Sequence, residues 1–251
     1  MIRTLLSDEV WARIESVLPG KEGDPGRTAT DNRWFVEAVL WIGRTGCPWR
    51  DLPKAFGRWH TVYMRFSRWR RKGVWERVIH AVADETKIKH VLIDSTIVRA
   101  HQHSSGAQKK TPQAIGRSGG GLTTKLHLAV DDAGRPLRLI ATEGQVSDIS
   151  CANELVEHLR TGAVIADKGY DSNAFVESIR STRAKAVIPP RSNRKTKRRY
   201  SRVLYRTRNI VERFFSRIKH FRRVATRYDK LAGYYLAFAS LACAFGLFVR
   251  M

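Results

Sequence analysis

Glu212 is the one acidic residue in the stretch YRTRNIVERFFSRIKH, Tyr205 to His220. A helix braced by surface ion pairs carries several acids, and a helix that only grips a polyanion needs none. A lone carboxylate among arginines and lysines therefore asks for a role of its own. Two further acids stand out by context. Asp94 interrupts the apolar, β-branched run KHVLIDSTIVRA, where an acid on a buried strand is costly unless it is paired or binds a metal. Asp167 ends the short apolar segment AVIAD, just before the turn KGY. Open α/β sheets place ligand sites at the carboxyl ends of such strands.

The three acids are separated by 167 − 94 = 73 and 212 − 167 = 45 residues, so only the fold can gather them. Gathered, they repel one another, and a divalent cation is the natural means of keeping them ionised. Hard oxygen ligands favour Mg²⁺, with Mn²⁺ as a substitute. Two such ions suit in-line displacement at a phosphodiester, one at the attacking oxygen and one at the leaving oxygen. Each acid also has an ordinary role open to it: Asp94 as a satisfied strand-end acid, Asp167 as a helix cap, Glu212 as a salt-bridge partner. Together, inside a strongly basic chain, they favour a metal site.

Helical geometry adds neighbours to Glu212. At about 100° per residue, Arg208, Lys219, Glu212 and Tyr205 fall at about 0°, 20°, 40° and 60°. Val211, Phe214, Phe215 and Ile218 occupy the adjoining face. The spacing predicts a helix that buries its apolar face and presents the acid for an ion, with the phenol and the cations for phosphates.

The elements that must position these residues can be read along the chain. Residues 1–85 read as helices joined by turns. Ser7 is placed to cap the first, and Trp34, Ala38, Trp41 and Ile42 line the second. A helix over about 60–72 turns Val62, Tyr63, Phe66 and Trp69 inward and Arg65, Arg68, Arg70, Arg71 and Lys72 outward. Helix, turn, basic helix is the order of a helix-turn-helix DNA reader, with Arg65, Arg68 and Arg71 as its candidate contacts. A helical subdomain that merely packs on the rest has the same order. Residues 86–251 follow a different period. The Asp94 strand, a hairpin over 122–141 turning at DDAG, and then alternating helix and strand predict an α/β domain of ribonuclease H-like order: a mixed sheet with flanking helices. Ser147 is expected to cap a helix, and the Glu212 helix and an apolar C-terminal helix complete the chain.

Charge narrows the partners. The chain carries 46 Lys+Arg against 23 Asp+Glu, a net +23, which points to nucleic acid, because clustered cations release counterions from phosphates. Arg191 to Lys230 alone holds 16 cations and two acids over 40 residues, a DNA track in which Arg191, Arg194 and Lys195 are candidate contacts. Three scattered cysteines form no CxxC pair, which fits a reduced, cytoplasmic setting beside the nucleoid. The segment Leu231–Val249 is 19 residues without a charge, long enough for a membrane span. Beside so basic a chain it reads better as a buried helix. His101 and His103 lack a third soft ligand nearby, and RSGGGLTTK lacks the phosphate-loop spacing.

The stretch YRTRNIVERFFSRIK fits Y-(2)-R-(3)-E-(6)-K without a mismatch, and in this it resembles bacterial insertion-sequence DDE transposases. LIDSTIVRAHQH and VIADKGYDS are similar to the segments that carry the first and second aspartates of that superfamily. TGCPWRDLP, FGRWHTVYMRFSRW, IPPRSNRK and HFRRVATRYDK resemble the insertion-sequence-five family in particular. The resemblance implies a ribonuclease H-like catalytic domain with Asp94, Asp167 and Glu212 as metal-binding triad, Asp171 being the rival for the second position. It implies Tyr205, Arg208 and Lys219 as DNA contacts near the cleaved phosphate. The expected activity is binding of terminal inverted repeats, hydrolysis of the end phosphodiesters, and joining of the 3′-hydroxyl ends to target DNA, in a homodimer and away from membranes. The alternative is a catalytically silent, domesticated DNA-binding protein.

Overall fold

The computed structural model describes residues 3–26, 28–82, 88–106 and 113–246. The chain divides into two compact units. One is drawn from Ala83–Arg99 and Ala114–Ser216, the other from Met1–Val82, Ala100–Gln113 and Arg217–Met251. The boundary expected at 85/86 lies outside the described residues. By proximity, the described residues from Arg217 to Gly246 group with the N-terminal helices.

The helical unit begins with α1 (Asp8–Ile14), capped by the Ser7 hydroxyl, which accepts from the Val10 amide at 3.3 Å. The second helix, α2 (Asn32–Thr45), is capped by Asp31, which accepts from the Trp34 amide at 2.8 Å. It stops at Gly46, whose φ of 72° is the left-handed conformation that glycine adopts without strain. Next come α3 (Trp59–Arg71) and α4 (Val74–Val82). Between α2 and α3 the chain makes two 3₁₀ turns, Trp49–Asp51 and Lys54–Phe56, a longer connection than the tight turn of a helix-turn-helix. The unit is completed by α9 (Arg222–Ala225), β7 (Thr226–Arg227) and α10 (Ala232–Gly246).

Aromatic rings knit these helices together. Phe66 of α3 lies 4.7 Å from Phe238 of α10 and 5.4 Å from Trp75 of α4, centroid to centroid. Tyr63 stacks on Tyr234 at 5.9 Å. The α10 helix is apolar on all sides and buried from Ala237 through Gly246, as such a helix must be. Among the described residues no helix is long and apolar enough to cross a membrane.

The sheet unit opens with β1 (His90–Ala100, its last residue counted with the helical unit), then β2 (Gly116–Ser118), β3 (Gly121–Asp131) and β4 (Pro136–Glu143). All pair antiparallel: β1 with β3, and β3 with both β2 and β4. The β3–β4 hairpin turns at DDAG, where the Asp131 carboxylate accepts from the amides of Ala133 at 2.9 Å and Arg135 at 2.7 Å. A 3₁₀ turn over Asp148–Cys151 and α5 (Ala152–Val156) then lead to β5 (Ala163–Ile165), and α6 (Asn173–Ser181) leads to β6 (Lys185–Val187). The last two strands run parallel, β5 on β1 and β6 on β5, giving the path β2-β3-β1-β5-β6. Three long antiparallel strands, β1, β3 and β4, with the short β2 at the edge, followed by parallel ones reached through helices, are the ribonuclease H-like topology. Val91 and Ile93 of β1, Leu155 of α5, Val164 of β5 and Phe175, Val176 and Ile179 of α6 form one face's core. Each such side chain removed from water contributes roughly 1.5–3 kcal/mol.

The segment around Glu212 is not one helix. Ser201 caps α7 (Arg202–Tyr205), a 3₁₀ turn follows over Arg206–Arg208, and α8 (Asn209–Ile218) carries the acid. Lys219 lies just past its end.

Candidate active site

The strand register brings the first two acids together. In β1 and β5 the pairs His90↔Ala163, Val91↔Val164 and Leu92↔Ile165 share an offset of 73 residues. Asp167 follows two residues past the end of β5, and the same offset carries it toward Asp94, near enough for its charge to act on the Asp94 carboxyl. Asp167 caps the turn Lys168–Tyr170, its Oδ1 accepting from the Gly169 amide at 2.8 Å. A Cβ at 169 would lie 2.8 Å from that oxygen, so a larger residue there would displace the Asp167 carboxylate.

Glu212 reaches the same place through Arg208. The Arg208 guanidinium donates from Nη2 to Asp94 Oδ2 at 3.0 Å and from Nη1 to Glu212 Oε1 at 2.6 Å. The broken helix makes this geometry: Arg208 ends the 3₁₀ turn, one helical turn ahead of Glu212 on α8. Asp94 is 9% exposed and also accepts from the Ser95 amide at 2.8 Å. Burial pushes its carboxyl up to about 6, and the nearby Asp167 and Glu212 push the same way, against the pull of the Ser95 amide and Arg208. Burial works against the Arg208 cation, but Asp94 and Glu212 outweigh it and raise its pKa. The Arg208 Nε is buried with no hydrogen-bond partner. Tyr205 is half-buried, edge-on to Tyr200 at 5.5 Å; burial raises its hydroxyl pKa, Arg208 lowers it, and Asp167 and Glu212 add to the rise.

A fourth acid borders the cluster without having been expected from the sequence. Asp148 Oδ1 accepts from Ser95 Oγ at 2.7 Å and from Lys125 Nζ at 2.8 Å. Lys125 also donates to the Val146 carbonyl at 2.6 Å. Asp148 Oδ2 lies on the Gly169 side, 3.6 Å from where a Cβ would stand. Ser95 thus joins Asp94, through its amide, to Asp148, through its hydroxyl. The sequence signal was Lys125, a lysine set in the apolar alternation of β3 as Asp94 is set in β1.

The remaining candidates fall in several settings. Asp171, the rival second aspartate, is buried and held by Arg194 and Arg198, with the Arg191 amide donating at 2.8 Å. Burial alone would raise its pKa, but these donors hold it below the usual value. Arg194 and Arg198 each also donate to Asn173 Oδ1 at 2.7 Å, and Arg191 donates to the Gly169 carbonyl at 2.8 Å. These arginines pin the segment after β6 to the turn that carries Asp167. Lys195 is exposed. In the helical unit Arg68 and Arg71 are exposed. Arg65 instead bonds Asn32 and lies over the rings of Phe35 and Trp69 at 4.2 and 4.9 Å; burial lowers it to about 10. Lys219 is exposed and counted with the helical unit.

The donor set suits a hard divalent cation in kind. Asp94 and Glu212 already share one positive charge, and Asp167 stands within electrostatic reach. With Arg208 between two of the acids, no three acidic, histidine or cysteine residues are arranged as a ready metal cage among the described residues.

Two family models match the chain in succession. Residues 6–79 match the family described as "Putative transposase of IS4/5 family", and residues 85–247 match "Transposase DDE domain". The chain is 39% identical over 128 residues to the "Putative transposase for insertion sequence element IS6501" of Brucella ovis, covering 49% of this chain and 96% of that one. It is 29% identical over 150 residues to the "Putative transposase for insertion sequence element IS402" of Burkholderia cepacia, covering 55% and 68%. In fold it is similar to the piggyBac transposase of a synaptic complex with hairpin DNA, at a TM-score of 0.52 and 11% identity, over 97% of this chain and 72% of that one. With the DDE domain spanning well over half its length, the chain belongs to the DDE transposases of insertion sequences.

Proposed function

We propose that this chain binds the terminal inverted repeats of its own element, hydrolyses the end phosphodiesters, and joins the freed 3′-hydroxyls to target DNA. The observation that carries the reading is the convergence of Asp94, Asp167 and Glu212, from three distant segments, on one strand-end cluster. Divalent cations held there, Mg²⁺ or Mn²⁺, would supply the Lewis acidity that activates the attacking oxygen and stabilises the leaving one.

The chain's own residues set up the rest. Asp94 and Asp167, held by the Ser95 and Gly169 amides, would be ligands for the cations. Glu212, on the exposed side of α8 and paired with Arg208, would be the third. Arg208 offsets part of the cluster's negative charge through its ion pairs with Asp94 and Glu212 until phosphate arrives. Tyr205 and Lys219 are assigned to DNA near the cleaved bond, with Arg191 and Lys195 alongside. Water is the nucleophile in the first step and a DNA 3′-hydroxyl in the second, so no covalent protein–DNA intermediate forms. Pairing two element ends calls for a homodimer.

The test is excision and strand transfer of a marker flanked by the DNA bordering this gene, in Mg²⁺. Wild type is compared with Asp94→Asn, Asp167→Asn and Glu212→Gln. Activity only in the wild type, with DNA binding kept in all four, supports the triad. Binding without cleavage in all four would make the chain a silent DNA-binding protein, and covalent adducts would overturn the hydrolytic mechanism.

A further inference from the structure

The segment from Arg50 to His60 contains much of the PWRDLPKAFGRWH stretch, and the active-site cluster makes no use of it. It folds around a cavity of about 560 Å³ lined by Arg50, Leu52, Lys54, Arg58, Trp59 and His60, with Gly57 at its edge. Arg50, Lys54, Arg58 and His60 are exposed. None of them makes an ion pair among the described residues, unlike Arg223 or Arg194. The one carboxylate in the segment, Asp51, is exposed and does not line the cavity. Three cations and an imidazole therefore surround one space with no counter-charge on its wall, an arrangement that repels itself until an anion enters.

The ring of Trp59 organises the cations. The Arg50 guanidinium lies over it at 5.4 Å, and the His60 imidazole meets it edge-on at 5.4 Å. An arginine stacked on indole keeps its N–H edge free for the two oxygens of a phosphate. The size falls within the range of built small-ligand sites, more than a bare phosphate needs and enough for a phosphate with its sugar.

We infer that this cavity binds a backbone phosphate of DNA, with Arg50, Lys54 and Arg58 as its donors and Trp59 as the platform. This rests on the transposase reading and relocates the DNA contact of the N-terminal helices. The expected reader was the middle of α3, where Arg65 is engaged by Phe35, Trp69 and Asn32. The cavity instead lies at the start of that helix.

The experiment is fluorescence anisotropy with a labelled element-end duplex, as a function of salt. The chains compared are wild type, Arg50→Gln/Arg58→Gln, Trp59→Leu, and Arg13→Gln on α1 as a charge control. Each lost phosphate contact lowers the log–log salt slope by about 0.9, so the double variant is expected to lose about 2 from the slope and about tenfold or more in affinity at low salt. Trp59→Leu is expected to weaken binding with little change in slope, and Arg13→Gln to stay within about twofold of wild type. Folding is checked by circular dichroism, and the double variant, which alters only exposed side chains, decides the matter if Trp59→Leu misfolds. Unchanged slope and affinity in the double variant, or equal losses in Arg13→Gln, would overturn the site while leaving the transposase reading intact. A wild type that does not bind the duplex would overturn both.

Discussion

Asp94→Asn is expected to make the metal-free protein more stable while abolishing its chemistry. Burial raises the Asp94 pKa from 3.8 to about 6. Between those two values the native state binds more protons than the unfolded state, so this group's contribution to stability falls as pH rises through the window. Above pH 6 the whole cost of holding the buried carboxylate ionised is present. A rise of roughly 2 units corresponds to about 3 kcal/mol. That figure already includes the pull of Arg208, because the shift measures ionised against neutral acid in the same surroundings. Asparagine resembles the neutral acid, so at pH 8 the variant should gain up to about 3 kcal/mol, or several degrees in Tm at about 2–4 °C per kcal/mol. The assay is urea unfolding in EDTA at pH 8 and again at pH 4.5, where wild-type Asp94 is mostly protonated and the gap should nearly close. Added Mn²⁺ should then narrow or reverse the ranking by stabilising the wild type. A variant no more stable than wild type at pH 8, or a gap that widens on acidification, would refute the argument.

Asp171→Asn is expected to destabilise the sheet unit by about 3–5 kcal/mol in chemical denaturation, since it leaves Arg194 and Arg198 around a buried site with no charge to meet. Because that pKa is depressed, the contribution should persist at pH 5 and fade only below the normal carboxylate range. Lys125→Met should cost about 2 kcal/mol by stranding Asp148, and the double variant with Asp148→Asn should recover part of the loss, a coupling that a thermodynamic cycle would read.

Much of the site was visible as conflict between a residue and its surroundings. An acid in an apolar strand, an acid closing another and an acid on a basic helix each violated a local rule, and such violations concentrate at functional sites. The offset of 73 between Asp94 and Asp167 was legible as a number, but its meaning as strand register needed the pairing of β1 with β5. The stripe of Tyr205, Arg208, Glu212 and Lys219 assumed an unbroken helix, whereas the 3₁₀ turn at 206–208 alters their angles and lets Arg208 reach back to Asp94. Arg65 follows the same lesson: its i+4 neighbour is Trp69, and the Phe35 ring that completes the sandwich comes from another helix. Periodicity along one element could not supply that partner. The placement of α10 was hidden for the same reason, since its partners Phe66 and Trp49 lie far away in sequence.

The interleaving of the two units bears on how the protein is made. On the ribosome, residues of the sheet unit emerge complete by Ser216, so Asp94, Asp167 and Glu212 are all available while translation is still under way. The N-terminal helices emerge earlier, but Phe66 and Trp49 gain the Phe238 ring as a neighbour only some 170 residues later. A chain interrupted shortly before α10 would carry an assembled catalytic sheet beside an unfinished helical unit. Loss of α10 is thus a means of separating the chemistry of the site from the part that carries the proposed DNA-phosphate cavity.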